Sequence, residues 1–355
     1  MTQTTNFFLG ANSGEGFQSL YSGIVDLGET RDFIVLKGGP GVGKSTFMKQ
    51  LGRAAQEAGQ RVEYIWCSGD PDSLDAVLLP DCRAAVADGT SPHVIEPRYP
   101  AAVDRYVNLG QFYDVDALKA HRLEVVTHTE TYQSAYQRAF HCLKAARQVE
   151  ADADARMRET MDWTKLDRRI TGIIAREFRK KGKEAGKTTL RFLGSMTYKG
   201  YVWRFDSVEA LCPRIYELAD RWELGSAALV RLREAASAAG WDTISCPNPE
   251  DPGQLHHLLV PGLGLAFVTT GDDCVYPRKP DRRIRLDAMA QIKDRPRIRF
   301  ARRMTVALRE EALSALKEAK AGHDALEAVY HPYVDFEGVA ALAREETARI
   351  LGCAK

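Results

Sequence analysis

The stretch that most limits the possible fold is Gly-Gly-Pro-Gly-Val-Gly-Lys-Ser at residues 38–45. It has the spacing G-x-x-x-x-G-K-S and stands between an apolar run, residues 33–36, and a segment with apolar residues at helical spacing, residues 46–58. Glycines let the backbone turn so that successive N–H groups converge on an anion. A strand, this loop and a helix in that order predict a phosphate-binding loop.

The side chains of this loop predict how a nucleotide is held. We expect Lys44 to reach the β- and γ-phosphates and the Ser45 hydroxyl to ligate Mg²⁺, so that ATP and Mg²⁺ are the predicted cofactors. The choice of ATP over GTP stays open, although no guanine-reading Asn-Lys-x-Asp segment occurs in the chain. The predicted nucleotide-binding residues are Gly38, Gly39, Pro40, Gly41, Val42, Gly43, Lys44, Ser45 and Thr46.

Length and composition favour a globular protein with more than one domain. The chain has 355 residues, of which 45% are hydrophobic and 27% charged, with a formal net charge of +1. This charge offers no bulk attraction for nucleic acid or anionic lipid. Residues 1–6 lack the basic and apolar regions of a secretory leader, and no later run approaches a transmembrane length. We therefore expect a cytoplasmic protein without a membrane partner.

The cysteines and histidines do not predict a metal site. The seven cysteines are scattered, odd in number and without a C-x-x-C pair, which favours buried reduced thiols over a disulfide framework or a zinc site. His256 and His257 have no Cys, Asp or Glu beside them at ligand spacing on the same face. We therefore expect these two histidines not to bind a metal ion.

An internal repeat organises the chain. Phe8-Leu9-Gly10, followed after five residues by Gly16-Phe17, recurs as Phe192-Leu193-Gly194 followed by Gly200-Tyr201. Further matches keep the same order and similar spacing: 51–59 with 232–240, 70–71 with 251–252, and 161–163 with 334–336. A repeat of this period predicts a duplicated domain. The predicted domains are residues 1–180 and 188–355, joined by a polar, basic linker over residues 179–187.

The repeat predicts that only one of two loops is intact. The stretch equivalent to residues 38–45 is Ala219 to Ser226, where Gly225 takes the place of Lys44. Asp220 and Glu223 would oppose a phosphate there by like-charge repulsion. We therefore expect the second loop not to bind nucleotide.

The apolar patterns predict an α/β fold in each half. In the first half they indicate helices over 17–26 and 44–58, and strands over 32–37, 62–67, 76–79, 83–87 and 93–95. Helix-forming tracts in which Gly and Pro are rare, such as 127–148, 303–321 and 326–351, predict a helical hairpin extension in each half. The expected fold is two tandem P-loop NTPase-like domains with mostly parallel sheets flanked by helices, the second P-loop being degenerate.

Turnover of a nucleotide requires an acidic residue beside the loop, and two residues compete for this role. Asp88 closes the apolar run 84–87, and we expect it to act as a catalytic residue and, with Ser45, as a Mg²⁺ ligand. Asp88-Gly89 is also a typical turn dipeptide. The position that matches Asp88 in the second half is Thr269, so the acid and the loop lysine are lost together. Glu96 is the rival candidate.

Three further predictions concern residues near the loop. Lys44 is predicted to be catalytic as well as nucleotide-binding, because it would stabilise charge that develops on the phosphates. Asp70 follows the second predicted strand and could act as a general base or metal contact, or belong to an Asp-Pro turn. His93, beside Pro92, is expected to be a core or capping histidine in preference to a catalytic one.

Two basic tracts, residues 176–191 and 278–303, are candidate anion sites. The first is expected to be a solvated linker with helix ends. The second could contact a nucleic acid, a phosphorylated substrate, or the γ-phosphate at the first loop through a donated arginine. No nucleic-acid-binding module accompanies it, so a nucleic-acid partner stays open but is not favoured. The other expected partners are a nucleotide and an unidentified small molecule or protein.

The chain resembles a little-characterised group of bacterial tandem P-loop proteins, described as ATPase or nucleotide-kinase-like. The resemblance covers most of the chain and rests on residues 7–17, 36–46, 68–75, 87–97 and 323–330. It implies a P-loop fold and ATP binding but no particular substrate. This sequence departs from the pattern in its second half, where a more recognisable loop is expected.

Three functions remain open from the sequence. The first is ATP hydrolysis at the N-terminal site, with the C-terminal half as regulator or scaffold. The second is phosphoryl transfer to a nucleotide or a small metabolite. The third is a non-catalytic, nucleotide-responsive binding module.

Overall fold

The computed structural model describes residues 3–26 and 28–352, and its first half is built on one six-stranded sheet. The strand order is β1-β5-β6-β7-β4-β8, and β6 runs antiparallel to both of its neighbours while the other neighbouring strands are parallel. A small hairpin, β2 and β3, lies outside this sheet. The strands are β1 (Thr4–Phe8), β2 (Gly10–Ser13), β3 (Gly16–Ser19), β4 (Asp32–Lys37), β5 (Val62–Trp66), β6 (Leu74–Leu79), β7 (Ala84–Asp88) and β8 (Asp104–Asn108).

The second half repeats this arrangement strand for strand. Its sheet has the order β9-β13-β14-β15-β12-β16, with β14 as the antiparallel member, and β10 and β11 form the matching hairpin. These strands are β9 (Thr188–Leu190), β10 (Gly194–Thr197), β11 (Gly200–Trp203), β12 (Arg214–Ala219), β13 (Thr243–Pro247), β14 (Leu255–Val260), β15 (Leu265–Thr270) and β16 (Arg282–Arg285). The prediction of an α/β fold with two similar halves and mostly parallel sheets is confirmed.

Helices flank both sheets, and two of them, α3 with 38 residues and α7 with 36, are unusually long. α3 contains neither glycine nor proline, and this composition favours an uninterrupted helix. Within the described residues, no helix is both long and apolar enough to cross a bilayer. The helices are α1 (Lys44–Glu57), α2 (Val115–Ala120), α3 (Arg122–Glu159), α4 (Trp163–Glu177), α5 (Phe205–Leu211), α6 (Ser226–Ala238), α7 (Arg295–Tyr330) and α8 (Phe336–Gly352).

The helices of each half complete the core of the other half. α3 and α7 lie antiparallel, as ion pairs such as Arg138 with Glu318 (2.6 Å) and Arg309 with Glu150 (2.6 Å) indicate. α4 then packs on α6 of the second half, and α8 packs on α1 of the first half. The boundary predicted between residues 180 and 188 matches the repeat in the sequence, but each hydrophobic core contains residues from both sides of it. Helix α4 contributes to the core of the second half, and α8 contributes to the core of the first half.

A shared core also joins the inner faces of the two sheets. Phe7 and Ile65 of the first half belong to the same buried cluster as Leu193 and Leu259 of the second half. The backbones of Phe8 and Phe192 exchange two hydrogen bonds, each 2.9 Å long. The two halves are therefore joined through both apolar burial and backbone pairing.

Two predicted elements of the first half are wrong. The segment predicted as a helix over 17–26 begins with β3, because Gly16, at a φ of 90°, reverses the chain and pairs β3 with β2. The segment 93–95 is a loop in which Val94 has a left-handed φ of 28°. The prediction also lacks β1, β2, β3 and β8. Of these, β8 is an edge strand whose polar sequence hides it from a hydrophobic pattern.

The buried ion pair between Arg191 and Glu63 generates a test of the contact between halves. The Arg191 side chain is 5% exposed, and its Nε donates to Glu63 Oε1 at 2.5 Å. We expect Arg191→Ala to lower the free energy of unfolding by about 3–5 kcal/mol, because it leaves a carboxylate without its partner. Urea denaturation at neutral pH measures this loss.

Lys187→Ala is the matched control, because Lys187 pairs with Asp26 and Glu29 but is 65% exposed. Its loss should cost less than about 1 kcal/mol. Equal losses for the two variants would contradict the importance of the buried pair.

Candidate functional site

The first loop, residues 38–45, leaves the end of β4 and leads into α1. Gly41 and Gly43 have left-handed φ values of 70° and 94°, which a residue with a side chain rarely adopts. Lys44 Nζ donates to the carbonyl oxygens of Gly38 (2.7 Å) and Gly39 (2.9 Å). No side chain caps the N-terminus of α1. The loop therefore places an ammonium group beside free backbone N–H groups, which together suit an anion.

Asp88 lies beside this lysine. β7 is the parallel neighbour of β4, and Leu36 and Asp88 are partners in their register. Asp88 Oδ2 is 3.5 Å from Lys44 Nζ, and Asp88 Oδ1 accepts from the N–H and hydroxyl of Thr90 at 2.8 and 2.6 Å. The rival acid, Glu96, pairs with Lys37, and its side chain is 64% exposed. Of the two, Asp88 is the acid at the first loop.

The Ser45 hydroxyl is engaged within the fold. Its oxygen accepts from the backbone N–H of Leu74 at 2.9 Å. Ser226 makes the same bond to Leu255 in the second half, also at 2.9 Å, so this bond belongs to the shared fold. The predicted roles of Ser45 and Asp88 as Mg²⁺ ligands stay predictions.

Asp70 forms a turn and also faces the other half. Its carboxylate accepts from the N–H of Asp72 (3.2 Å) and the hydroxyl of Ser73 (3.0 Å), as in an Asx turn. Lys320 Nζ on α7 lies 3.7 Å from Asp70 Oδ2. The turn interpretation therefore accounts for the local geometry, and a catalytic role for Asp70 stays a prediction.

The second half reaches the first loop through the end of α7. Glu327 Oε1 accepts from the N–H of Gly41 at 3.1 Å, and the His331 ring lies so close to Gly41 that an added Cβ would be 2.9 Å from it. Tyr113 of the first half donates from its hydroxyl to Pro40 O at 2.9 Å. Sequence analysis missed Glu327 and His331 as site residues, because they lie far along the chain and their spacing indicates only a helix.

The second loop, residues 219–226, contains its own anion. Asp220 Oδ1 accepts from the N–H of Leu224 (2.9 Å), and Oδ2 accepts from the N–H of Gly225 (2.7 Å). Burial raises the pKa of Asp220 to about 6, although these two hydrogen bonds act in the opposite direction. A side-chain carboxylate therefore takes the place that a phosphate would need. This is the physical reason to expect no nucleotide there.

Ion pairs fill the space around the second loop. Arg147 from α3 pairs with Glu223 at 2.6 Å, and Arg309 from α7 pairs with Glu150 at 2.6 Å and Glu250 at 2.9 Å. Burial raises the pKa of Glu150 to about 7, although the charge of Arg309 lowers it. The second site is thus occupied by charges that neutralise one another.

The second basic tract does not extend to the first loop. Its arginines pair with nearby acids, as Arg283 does with Glu217 and Arg302 with Asp272. Arg303, the last residue of the tract, lies on the same helix as Glu327, and a rise of about 1.5 Å per residue separates them by about 36 Å. The option that the α7 part of this tract donates an arginine to the first loop is therefore wrong.

The structure brings a cysteine to the two adjacent histidines, against the prediction. One donor atom each from His256, His257 and Cys274 lie within 4.8 Å of one another. Burial lowers the pKa of His256 to about 4, so its ring is neutral at pH 7. His257 Nδ1 accepts from the N–H of Thr269 at 3.1 Å. A neutral His257 therefore carries its proton on Nε2, and this tautomer opposes metal binding through that nitrogen.

The six cysteines within the described residues form no disulfide. Cys67, Cys82 and Cys142 are partly exposed free thiols, and Cys212, Cys246 and Cys274 are buried ones. Cys353 lies outside the described residues.

Comparison with protein-family models, with curated proteins and with solved structures gives no match to this chain. Function is therefore inferred from the first loop and from the side chains around it.

The buried carboxyl of Asp220 makes stability depend on pH. Between its ordinary pKa of 3.8 and its pKa of about 6, the folded protein keeps a proton that the unfolded chain releases. Stability from this group is therefore lost as the pH rises through that window. An asparagine side chain cannot titrate, so the variant Asp220→Asn lacks this loss. When the pH rises from 4.5 to 7, we expect the free energy of unfolding of the original protein to fall by about 2 kcal/mol relative to that of the variant. Urea unfolding at both pH values measures it, and parallel pH dependence of the two proteins would contradict it.

Proposed function

We propose that the first half binds Mg·ATP at residues 38–46 and hydrolyses it, with the second half acting as regulator or scaffold. The observation that carries this proposal is the position of Lys44, which lies within the first loop and 3.5 Å from Asp88. Asp88 ends β7, and Lys44 follows the loop that leaves the end of β4, the parallel neighbour of β7. The carboxyl ends of such strands are where α/β sheets bind their ligands. A lysine for phosphate and a carboxylate for Mg²⁺ are the groups that nucleotide hydrolysis requires.

The residues of the loop fit a triphosphate. The uncapped N-terminus of α1 offers backbone N–H groups, and the left-handed Gly41 and Gly43 allow a close approach of the ligand. Lys44 would neutralise charge on the phosphates, while Ser45 and Asp88 would hold Mg²⁺ directly or through water. Mg²⁺, when bound, would stabilise the charge that develops on the transferring phosphoryl group.

A regulatory role for the second half is supported by Glu327. Its carboxylate holds the N–H of Gly41, which is one of the amides of the first loop. A phosphate that takes this amide must displace Glu327, because both are anions and would repel each other. α7 also carries Arg309, which pairs with Glu150 and Glu250 around the second loop. A shift of this helix would therefore change the contacts of both loops.

Phosphoryl transfer to a nucleotide or a small metabolite is the second candidate. Asp70 of the first half and Lys320 on α7 of the second half lie 3.7 Å apart, and these two side chains could bind a polar acceptor. In the part of the chain that the structure describes, no second-half arginine bonds to residues 38–46 or to Asp88, so the cation that would favour hydrolysis is missing from this arrangement. The third candidate is a binding module in which nucleotide only changes the position of α7.

The three candidates are separated by the fate of the γ-phosphate. The full chain is incubated with γ-labelled ATP and Mg²⁺, with and without cell extract. Label in free phosphate supports hydrolysis, and label on another molecule supports transfer. ATP binding with phosphate release at background under every condition would leave the binding module and contradict both enzyme functions.

Lys44→Ala tests the nucleotide site. We expect at least a 100-fold loss of affinity for ATP, because the variant removes the cation within the loop. Equilibrium binding of a fluorescent ATP analogue measures it. Lys49→Ala is the control, since Lys49 is on the same helix but donates to the carbonyl of Asp72 outside the loop. Retained affinity in Lys44→Ala would contradict the site.

Asp88→Asn tests turnover separately from binding. We expect nucleotide affinity within a few-fold of the original and at least a 100-fold lower rate of phosphate release, because the amide is a poor substitute for a carboxylate toward Mg²⁺. Glu96→Gln should keep the original rate, since the Glu96 side chain is 64% exposed and pairs with Lys37, not with a residue of the loop. An unchanged rate in Asp88→Asn would transfer the role to another acid.

A further inference from the structure

A buried Asp-His pair lies on the first sheet next to the first loop. His93 stands in the segment that follows β7 and Asp88, and Asp75 lies on β6 where the register with β5 shifts. His93 Nε2 is 3.3 Å from Asp75 Oδ1, and the Tyr21 hydroxyl donates to Asp75 Oδ2 at 2.8 Å. Tyr21, Asp75 and His93 are each at most 9% exposed.

The second nitrogen of this histidine has no partner. His93 Nδ1 is buried and makes no hydrogen bond in the described structure. Because Nε2 faces a carboxylate, it carries the proton of the neutral ring, and Nδ1 is left with a free lone pair. Phe17 and Tyr21 contact the ring with centroid distances of 5.3 and 4.6 Å, which fixes its orientation. This is the arrangement of an oriented base.

The pKa of His93 depends on Asp75 and on two charged residues of the candidate site, Asp88 and Lys44. Burial lowers the pKa of His93, whereas the charge of Asp75 and its hydrogen bond raise it. The combined effect of Asp75 is larger, so the pKa of His93 lies above its usual value of 6.5. Asp88 also raises this pKa, and Lys44 lowers it.

Hydrogen bonds also connect both members of the pair to the candidate site. The N–H of His93 donates to the carbonyl of Thr90 at 2.9 Å, and Thr90 donates to Asp88. Asp75 directly follows Leu74, whose N–H donates to the Ser45 hydroxyl oxygen.

The second half provides an internal control for the structural role of this cluster. By the repeat, Phe205 stands at the position of Tyr21, His256 at that of Asp75, and Cys274 at that of His93. The strands around them have the same order, and β13 and β14 show the same register shift. The fold therefore forms with a phenyl ring in place of the Tyr21 phenol, a histidine in place of the Asp75 carboxylate and a thiol in place of the His93 imidazole. The half without them is also the half whose loop lacks the lysine.

We propose that His93, oriented by Asp75, is the general base that takes the proton from the oxygen nucleophile attacking the γ-phosphate at the first loop. This inference rests on the proposed function. The nucleophile is water in hydrolysis or an acceptor hydroxyl in transfer. Its oxygen forms a bond to the γ-phosphorus, and the bond from that phosphorus to the β–γ bridging oxygen breaks, so that ADP leaves with the electron pair. The proton of the nucleophile moves to His93 Nδ1.

Asp75 is a positioning residue in this step. Its carboxylate holds the proton on Nε2 and stabilises the imidazolium that forms when Nδ1 accepts a proton. Tyr21 in turn donates to Asp75 and fixes its orientation. The charged or titratable groups that act on His93 are Asp75, Asp88 and Lys44, with Tyr21 against its ring.

The test uses the full chain with Mg·ATP and measures phosphate release and nucleotide affinity separately. We expect His93→Gln and His93→Asn to lower the rate of phosphate release by about 100-fold or more and to leave the affinity for a non-hydrolysable ATP analogue within about threefold. Retained affinity also shows that the variants fold. Cys274→Ala, at the equivalent position of the second half, should keep the original rate.

The pH profile separates a base from a merely structural histidine. In the original protein the rate should fall as the pH drops through the pKa of His93, since the protonated ring cannot accept a proton. Asp75→Asn removes the negative charge that raises this pKa, so the falling limb should move to lower pH. The His93 variants should lack this limb.

Two results would overturn the inference while leaving the proposed function intact: an unchanged rate in His93→Gln, or an unmoved limb in Asp75→Asn. Nucleotide binding that survives Lys44→Ala, or no phosphate release or transfer by the original protein, would overturn the proposed function and this inference with it.

Discussion

The antiparallel contact between α3 and α7 is the constraint on which the rest of the structure depends. α3 reaches the second loop, where Arg147 pairs with Glu223. α7 runs the opposite way and ends at the first loop, where Glu327 reaches Gly41. Because α4 and α8 follow these helices, each packs on a helix of the opposite half, α4 on α6 and α8 on α1. Neither outer core is complete alone, and each loop is covered by a helix from the other half.

The two loops have one topology but opposite electrostatics. In the first, Lys44 is the first residue of α1, whose N-terminus no side chain caps, and Glu327 of the other half accepts from the N–H of Gly41. In the second, Asp220 belongs to the loop itself and satisfies two of its N–H groups, while Arg147 and Arg309 neutralise the remaining acids. The second loop thus binds a carboxylate of its own, and the first loop is contacted by a carboxylate from the opposite half.

Prediction from the sequence succeeded where the structure depends on neighbours along the chain. β4, the first loop and α1 form from an apolar run, glycines and helical spacing, and the repeat predicts a second copy of the sheet. It failed for β3, where Gly16 reverses the chain, and for β8, whose polar sequence suits an edge strand. The approach of Cys274 to His256 was also missed, because β14 and the segment after β15 meet only in the folded sheet.

The residues along the chain were enough to predict a duplicated α/β protein with one intact G-x-x-x-x-G-K-S loop and one in which Asp220 and Gly225 replace its key residues. The surroundings of that loop emerge from the folded chain: Asp88 beside Lys44, Glu327 on Gly41, and the pairing of Asp75 with His93. The physical reason is that spacing along a strand or helix specifies a local conformation and a buried face. Contacts between distant residues depend on strand order and on how α3 and α7 cross between the halves, and these are set by the burial of the whole core.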